Sequence, residues 1–166
     1  MKKTGLLAAC LTIGAATLAL APVFAAQAAP QAAAAKARVA ISEIWYNSPG
    51  KDTGSNPSLN HEWVELHNNT AKVMSLTNWT LRDKAGHVYA FGTFMLKAHA
   101  SVKIHTGHGA NTAANLYWRH SWYIWNNNGD TATLKTAASA PESRCTYSDP
   151  SEVRLSVTCS QKALAG

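Results

Sequence analysis

Short segments in which apolar and polar residues alternate follow one another along most of this chain. In residues 62–67, for example, Val64 and Leu66 fall on one side and Glu65 and His67 on the other. Alternation with a period of two is the pattern of half-buried β-strands, and turn residues separate the segments at short intervals. The sequence therefore predicts an all-β protein, an antiparallel β-sandwich. The predicted strands are 38–45, 62–67, 76–81, 87–91, 101–105, 117–125 and 131–134.

The segment 117–125 holds three of the six tryptophans of the chain. As a strand it would have two faces, one entering the core and the other left at the surface. The first face comprises Tyr117, Arg119, Tyr123 and Trp125, and the second comprises Trp118, His120, Trp122 and Ile124. Surface aromatic rings beside an arginine can stack on sugars or bases. The candidate ligand-binding residues are Trp118, Arg119, Trp122 and Tyr123, unless sheet and loop cover both faces.

Residues 47–58 consist almost entirely of Gly, Pro, Asn, Ser and other turn-forming residues. This composition predicts a long surface loop, and long loops in compact domains often carry function. We therefore expect the 47–60 region to be a contact surface, with Lys51 and Asp52 as its candidate ligand-binding residues.

The first 28 residues have the build of a secretory signal peptide. Two lysines precede an apolar run that ends near Phe24, and Ala26-Gln27-Ala28 supplies the small residues read by signal peptidase. We expect cleavage after Ala28, a disordered Ala-rich spacer at 29–37, and a secreted protein without a transmembrane segment after cleavage. A membrane-spanning helix and lipidation of Cys10 compete with this interpretation. A proline inside the run disfavours the helix, and the short apolar stretch before Cys10 disfavours lipidation.

Charge and cysteine content set further limits on function. Residues 29–166 keep 13 of the 15 Lys and Arg residues against nine Asp and Glu, a net charge of +4. This charge favours loose contact with anionic polymers but is weaker than that of a dedicated nucleic-acid binder. Cys145 and Cys159 remain in an oxidising setting, so we expect them to form a disulfide, with two free thiols as the alternative.

Three motifs in the chain occur together in one order and spacing. They are Glu62-Trp63-Val64-Glu65-Leu66-x-Asn68, then Leu76-x-x-Trp79-x-Leu81-x-Asp83 followed by Gly86, and Trp125-Asn126-Asn127-x-Gly129-Asp130-x-x-x-Leu134. In this the chain resembles the lamin tail domain family over about residues 38–136. The resemblance implies an immunoglobulin-like β-sandwich.

Each motif residue also has a structural interpretation. The set is Glu62, Trp63, Glu65, Asn68, Trp79, Asp83, Trp125, Asn126, Asn127, Gly129 and Asp130. We expect Trp79 to fill the core and the Asn128-Gly129 pair to form a hairpin turn. Asp83 and Asp130 should accept backbone N–H bonds and fix turns. Residues 137–166 depart from the family pattern and are interpreted as an irregular C-terminal tail with the disulfide.

The residues do not form a recognised catalytic or metal-binding motif. His105 and His108 are the closest histidine pair, but zinc needs three or four converging ligands. Glu62 and Glu65 are expected on opposite faces of a strand, which disfavours a paired-carboxylate hydrolase. Calcium at Asp52 is the remaining metal alternative, although a lone carboxylate is a poor start for its coordination shell. We therefore expect no enzyme activity, no metal and no cofactor.

Two functions remain as hypotheses. The first is a secreted, non-catalytic binding or scaffolding module at the cell surface or outside the cell, with a cell-wall polymer or an extracellular protein as partner. The alternative is an extracellular nucleic-acid-binding accessory protein. The nuclear role of animal lamin tails depends on a coiled-coil rod and a nuclear address, and is not expected here.

Overall fold

A computed structural model of the chain describes residues 36–161 and residue 164. The signal peptide and most of the spacer proposed from the sequence lie outside this range. The elements, in chain order, are β1 (Val39–Trp45), α1 (Asn56–Asn60), β2 (Trp63–Asn68), β3 (Met74–Ser75), β4 (Thr80–Arg82), β5 (Val88–Ala90), β6 (Met95–Leu96), β7 (Ser101–His105), β8 (Asn115–Tyr117), β9 (Gly129–Lys135), β10 (Pro141–Ser148) and β11 (Ser156–Thr158).

Two main sheets form a β-sandwich. One has the strand order β11-β1-β2-β7-β8 and the other has the order β10-β9-β4-β5, while β3 and β6 pair separately. The pairings are antiparallel except for β7 with β8, which run parallel. One hydrophobic cluster draws side chains from both main sheets, including Val64 and Leu66 from β2 and Leu134 from β9. The predicted immunoglobulin-like fold class is therefore confirmed.

The C-terminal region requires a correction. Residues 137–166 were interpreted as an irregular tail, but β10 pairs with β9 along its whole length and β11 pairs with β1. The alternation in β10 is real, because Ser143, Cys145 and Tyr147 are buried while the residues between them are exposed. Two of its three buried positions, Ser143 and Cys145, are small, which hid the strand. The spacer interpretation also extends too far, since Ala37 is buried and its N–H donates to Gln161 O.

The aromatic segment 117–125 is not a strand beyond its first residue. The strand β8 ends at Tyr117, and residues 118–128 form a loop that crosses from one sheet to the other before β9 begins. The predicted division into two faces is therefore wrong, and Ile124 and Trp125 are both buried although they are adjacent. The Asn128-Gly129 turn leads into β9 but does not join a hairpin, because β8 pairs with β7.

The predicted disulfide between Cys145 and Cys159 is present, with Cα atoms 5.6 Å apart. Cys145 lies on β10, an edge strand of one sheet, and Cys159 follows β11, an edge strand of the other. The bond therefore ties the two sheets together along one side of the sandwich. Arg38 and Glu142 reinforce that side with an ion pair of 2.8 Å. Within the described residues, no helix has the length and apolar character needed to cross a bilayer.

Candidate ligand-binding cleft

A cleft of about 330 Å³ opens at one end of the sandwich. Three segments that are distant in sequence form it: the loop after β1, the loop between β8 and β9, and the loop after β10. Its volume is at the lower end of the range of about 300–1,000 Å³ found for small-molecule sites. The lining residues are Asp52, Trp122, Tyr123, Ile124, Trp125, Asn126, Asn127, Asn128 and Glu152.

Trp122 is the exposed aromatic residue of the cleft, with 57% of its surface accessible. Its six-membered ring lies against Gly54, so closely that a Cβ on Gly54 would come within 2.5 Å of it. Tyr123 packs edge-on to the same indole at 5.5 Å, and its hydroxyl bonds to Ser58. The indole is thus held by its neighbours while more than half of it faces solvent.

The amide-rich turn of the cleft is held by Asp130 and Tyr147. Both the backbone N–H and the side-chain amide of Asn126 donate to Asp130 Oδ2, at 3.3 and 2.8 Å. Asp130 Oδ1 accepts the N–H groups of Lys84 and Thr131. The Tyr147 hydroxyl donates to Asn126 O at 2.8 Å. The predicted turn-fixing role of Asp130 is therefore what the structure shows, and the turn it fixes lines the cleft.

Asp52 and Glu152 bring two carboxylates to the cleft, and both residues are exposed. The Asp52 carboxylate lies 3.5 Å from the side-chain nitrogen of Asn127. Glu152 has a positive φ of 54° and is held through its backbone, because its N–H donates to Asp149 O and its carbonyl accepts from Asn47 Nδ2. Non-glycine residues adopt this conformation rarely, and they concentrate at functional sites.

Asp149 organises the loop that carries Glu152. The backbone N–H of Arg154 donates to Asp149 Oδ2 at 2.8 Å and is the main reason that the pKa of this carboxyl lies below its ordinary value. Hydroxyl donors on Ser151 and Tyr46 also lower the pKa, against the opposing effect of burial. Asp149 therefore acts as an ionised anchor for the loop.

Glu62 connects the wall of the cleft to the sandwich. Its side chain is fully buried, and Oε1 accepts the Thr106 hydroxyl at 2.6 Å and the Ile124 N–H at 2.8 Å. Burial raises the pKa of this carboxyl to about 8, although those hydrogen bonds lower it. Oε2 has no hydrogen-bond partner among the described residues. At neutral pH Glu62 is thus a largely protonated, buried acid, and its bond to Ile124 positions the cleft-lining loop between β8 and β9.

The other motif residues serve the fold. Asn68 is buried and its side-chain nitrogen donates to the carbonyls of Lys72, Leu96 and Lys97, which organises the turn after β2. Asp83 accepts the N–H groups of Gly86 and His87, as expected of a turn-fixing carboxylate. Trp63 and Trp79 are buried, and Trp79 belongs to the core as predicted, while Glu65 accepts the hydroxyl of Ser42. Gly129, with φ of 144°, opens β9.

The structure brings together three of the six predicted ligand-binding residues, namely Asp52, Trp122 and Tyr123. Trp118 is half-buried and packs against Trp125 and Tyr89 at the margin of the core. Arg119 and Lys51 are exposed and are not among the residues lining the cleft. Glu152 was missed because the sequence around it was interpreted as irregular.

The histidines offer little to a metal. His105 uses both ring nitrogens, one against Asn60 O at 2.8 Å and one against Asn115 Oδ1 at 2.9 Å. His87 bonds to Asp83. In the part of the chain that the structure describes, no three His, Cys, Asp or Glu side chains are grouped as a metal site would require.

The sequence also matches a known protein family. The Lamin Tail Domain family matches residues 32–149, more than half of the chain. Comparison with curated proteins gives no match. The family match runs through β10, and so includes a strand beyond the motifs that first suggested the resemblance. The chain therefore belongs to the lamin tail domain family.

Proposed function

We propose that this protein is a secreted, non-catalytic binding module that acts at the cell surface or outside the cell through the cleft around Trp122. The observation that carries the proposal is the exposed indole of Trp122 in a concave site built by three loops. An aromatic ring in a concave site with a few polar groups around it is the usual composition of a small-molecule binding site. The disulfide supports secretion, because such bonds persist in oxidising compartments.

The structural roles of the two buried acids beside the cleft, Glu62 and Asp130, support a non-catalytic role. Glu62 is locked between Thr106 and Ile124, and Asp130 holds the Asn126 turn. These hydrogen bonds hold the structure, so the two carboxyl groups are not free to act as the acid and base of a hydrolytic pair. Turnover of a polymer by the purified protein, abolished by one carboxylate substitution, would contradict this part of the proposal.

The test is co-sedimentation of the protein with wall fragments of the producing cell at low and high salt. We expect retention at both salt concentrations, and loss of retention in Trp122→Ala, because stacking on an aromatic ring is insensitive to salt. Val73→Ala is the matched control, since Val73 is exposed to a similar extent, 54%, and is not among the residues lining the cleft. Absence of retention at both salts would refute binding to the wall.

The nucleic-acid alternative rests on the net charge of +4 over residues 29–166 and on the exposed Arg119. Phosphate contacts release counterions, so this alternative predicts retention only at low salt. The carboxylates of Asp52 and Glu152 in the cleft disfavour it, because they repel a phosphate backbone. Retention only at low salt that survives Trp122→Ala would support the alternative against our proposal.

A further inference from the structure

The charge of the cleft is opposite to that of the chain. Residues 29–166 have more Lys and Arg than Asp and Glu, but the charged residues lining the cleft are the two acids Asp52 and Glu152. Among the described residues that line it there is no lysine or arginine. A concave site lined by negative charges attracts cationic groups and raises their local concentration. The charge therefore favours a ligand with a positive group.

The remaining lining groups suit a sugar ring. Trp122 offers a flat apolar surface, and a pyranose ring has a face of C–H groups that can lie on it. Asn127 and Asn128 line the same cleft, and a side-chain amide can both donate to and accept from hydroxyl groups. An aromatic surface with a few convergent polar groups is the usual composition of a small-molecule site.

We infer that the cleft binds a sugar ring with a free amino group, as in an oligomer of glucosamine, and this inference rests on the proposed function and specifies its ligand. The ring stacks on Trp122, its hydroxyl groups bond to the asparagine amides, and its ammonium group lies near Asp52 and Glu152. The acetylated ring, as in N-acetylglucosamine, keeps the stacking surface but loses the charge.

The test compares two soluble hexamers, one of glucosamine and one of N-acetylglucosamine, by calorimetric titration of the oxidised protein at about pH 6, where the free amines are protonated. The two ligands share ring and linkage and differ in charge. We expect the glucosamine hexamer to bind about tenfold more tightly, since each exposed ion pair contributes up to about a fivefold factor. Hexalysine serves as a third ligand that has the charge without the ring.

Two variants separate the contributions. Trp122→Ala should weaken the binding of both hexamers at least about tenfold, because it removes the stacking surface. The double variant Asp52→Asn with Glu152→Gln should weaken the binding of the glucosamine hexamer more than that of the acetylated hexamer, and bring the two affinities within about twofold of each other. These positions are exposed, so thermal melting should confirm that the variants fold.

Several results would overturn the inference. Equal binding of the two hexamers by the unmodified protein would show that the carboxylates do not select an amine. Tighter binding of hexalysine than of the glucosamine hexamer, lost in Trp122→Ala, would assign the cleft to a basic peptide. Retention on wall fragments without binding of either hexamer would leave the proposed function standing and remove the amino sugar. Failure of both retention and hexamer binding would remove both.

Discussion

Replacing Glu62 by glutamine should change how the stability of this domain depends on pH. Burial raises the pKa of the Glu62 carboxyl from 4.5 to about 8, against the effect of hydrogen bonds from Thr106 and Ile124. Between these values the folded chain holds a proton that the unfolded chain has released. The free energy of unfolding attributable to this group must therefore fall as the pH rises from 4.5 to about 8, and remain level above that.

The size of the effect follows from the shift. A pKa difference of one unit corresponds to about 1.4 kcal/mol, so the shift of Glu62 corresponds to a loss of about 3–5 kcal/mol across the window. Domains of this kind have total stabilities of about 5–15 kcal/mol, so the loss is a large share. Glutamine does not titrate, and its amide oxygen can still accept the bonds that Oε1 accepts.

Urea unfolding monitored by tryptophan fluorescence, in steps from about pH 4.5 to about pH 9, measures this directly. The stability of Glu62→Gln relative to the unmodified protein should rise across the window by about 3–5 kcal/mol. All other ionisable groups are common to the two proteins and cancel in the difference. Glu65→Gln is the control, because Glu65 lies on β2, three residues after Glu62, and is only half-buried. A difference between the two proteins that stays constant across the window would refute the reasoning.

Three further predictions concern the frame of the cleft. Replacing Cys145 and Cys159 by serine should lower the free energy of unfolding by about 3 kcal/mol, measured by urea titration, because it removes a cross-link over a short loop. Gly54→Ala should displace the indole of Trp122, seen as a shifted fluorescence maximum, and destabilise the domain by about 1 kcal/mol or more, since φ is +65° and the ring occupies the Cβ position. Asp149 has a lowered pKa, so its stabilisation is present above its unfolded pKa and is lost as the pH falls. Asp149→Asn should therefore be less sensitive to acid than the unmodified protein, measured by thermal melting between about pH 2 and pH 5.

The alternating strands and the disulfide could be predicted because each depends on local pattern or on the cysteine count. The segment after Tyr117 could not, since its aromatic residues favour β-structure. Its actual path depends on Glu62, whose carboxyl takes the N–H of Ile124 that a neighbouring strand would otherwise take. That contact joins residues 62 positions apart, and periodicity carries no information about it.

The cleft itself could be predicted only in part. An aromatic-rich segment and a long loop were visible in the sequence, and they gave Trp122, Tyr123 and Asp52. Glu152 enters the cleft because β10 returns the chain to the same end of the sandwich. Ser143 and Cys145 occupy buried positions of that strand. Large apolar residues at these positions would have revealed the strand in the sequence.

The disulfide also determines which parts of the domain would bear a mechanical load. The N-terminal and C-terminal flanks of the β-sandwich meet where the Ala37 N–H donates to Gln161 O. From there β1 leads to the opposite end of the sandwich, where the cleft lies. If either flank were attached to a surface, the cleft would therefore face away from that surface. Tension entering at the C-terminal flank would pass at Cys159 into β10 through the covalent bond. Glu152 lies within the closed loop between the two cysteines, so the binding loop would remain unloaded while the tether is stretched.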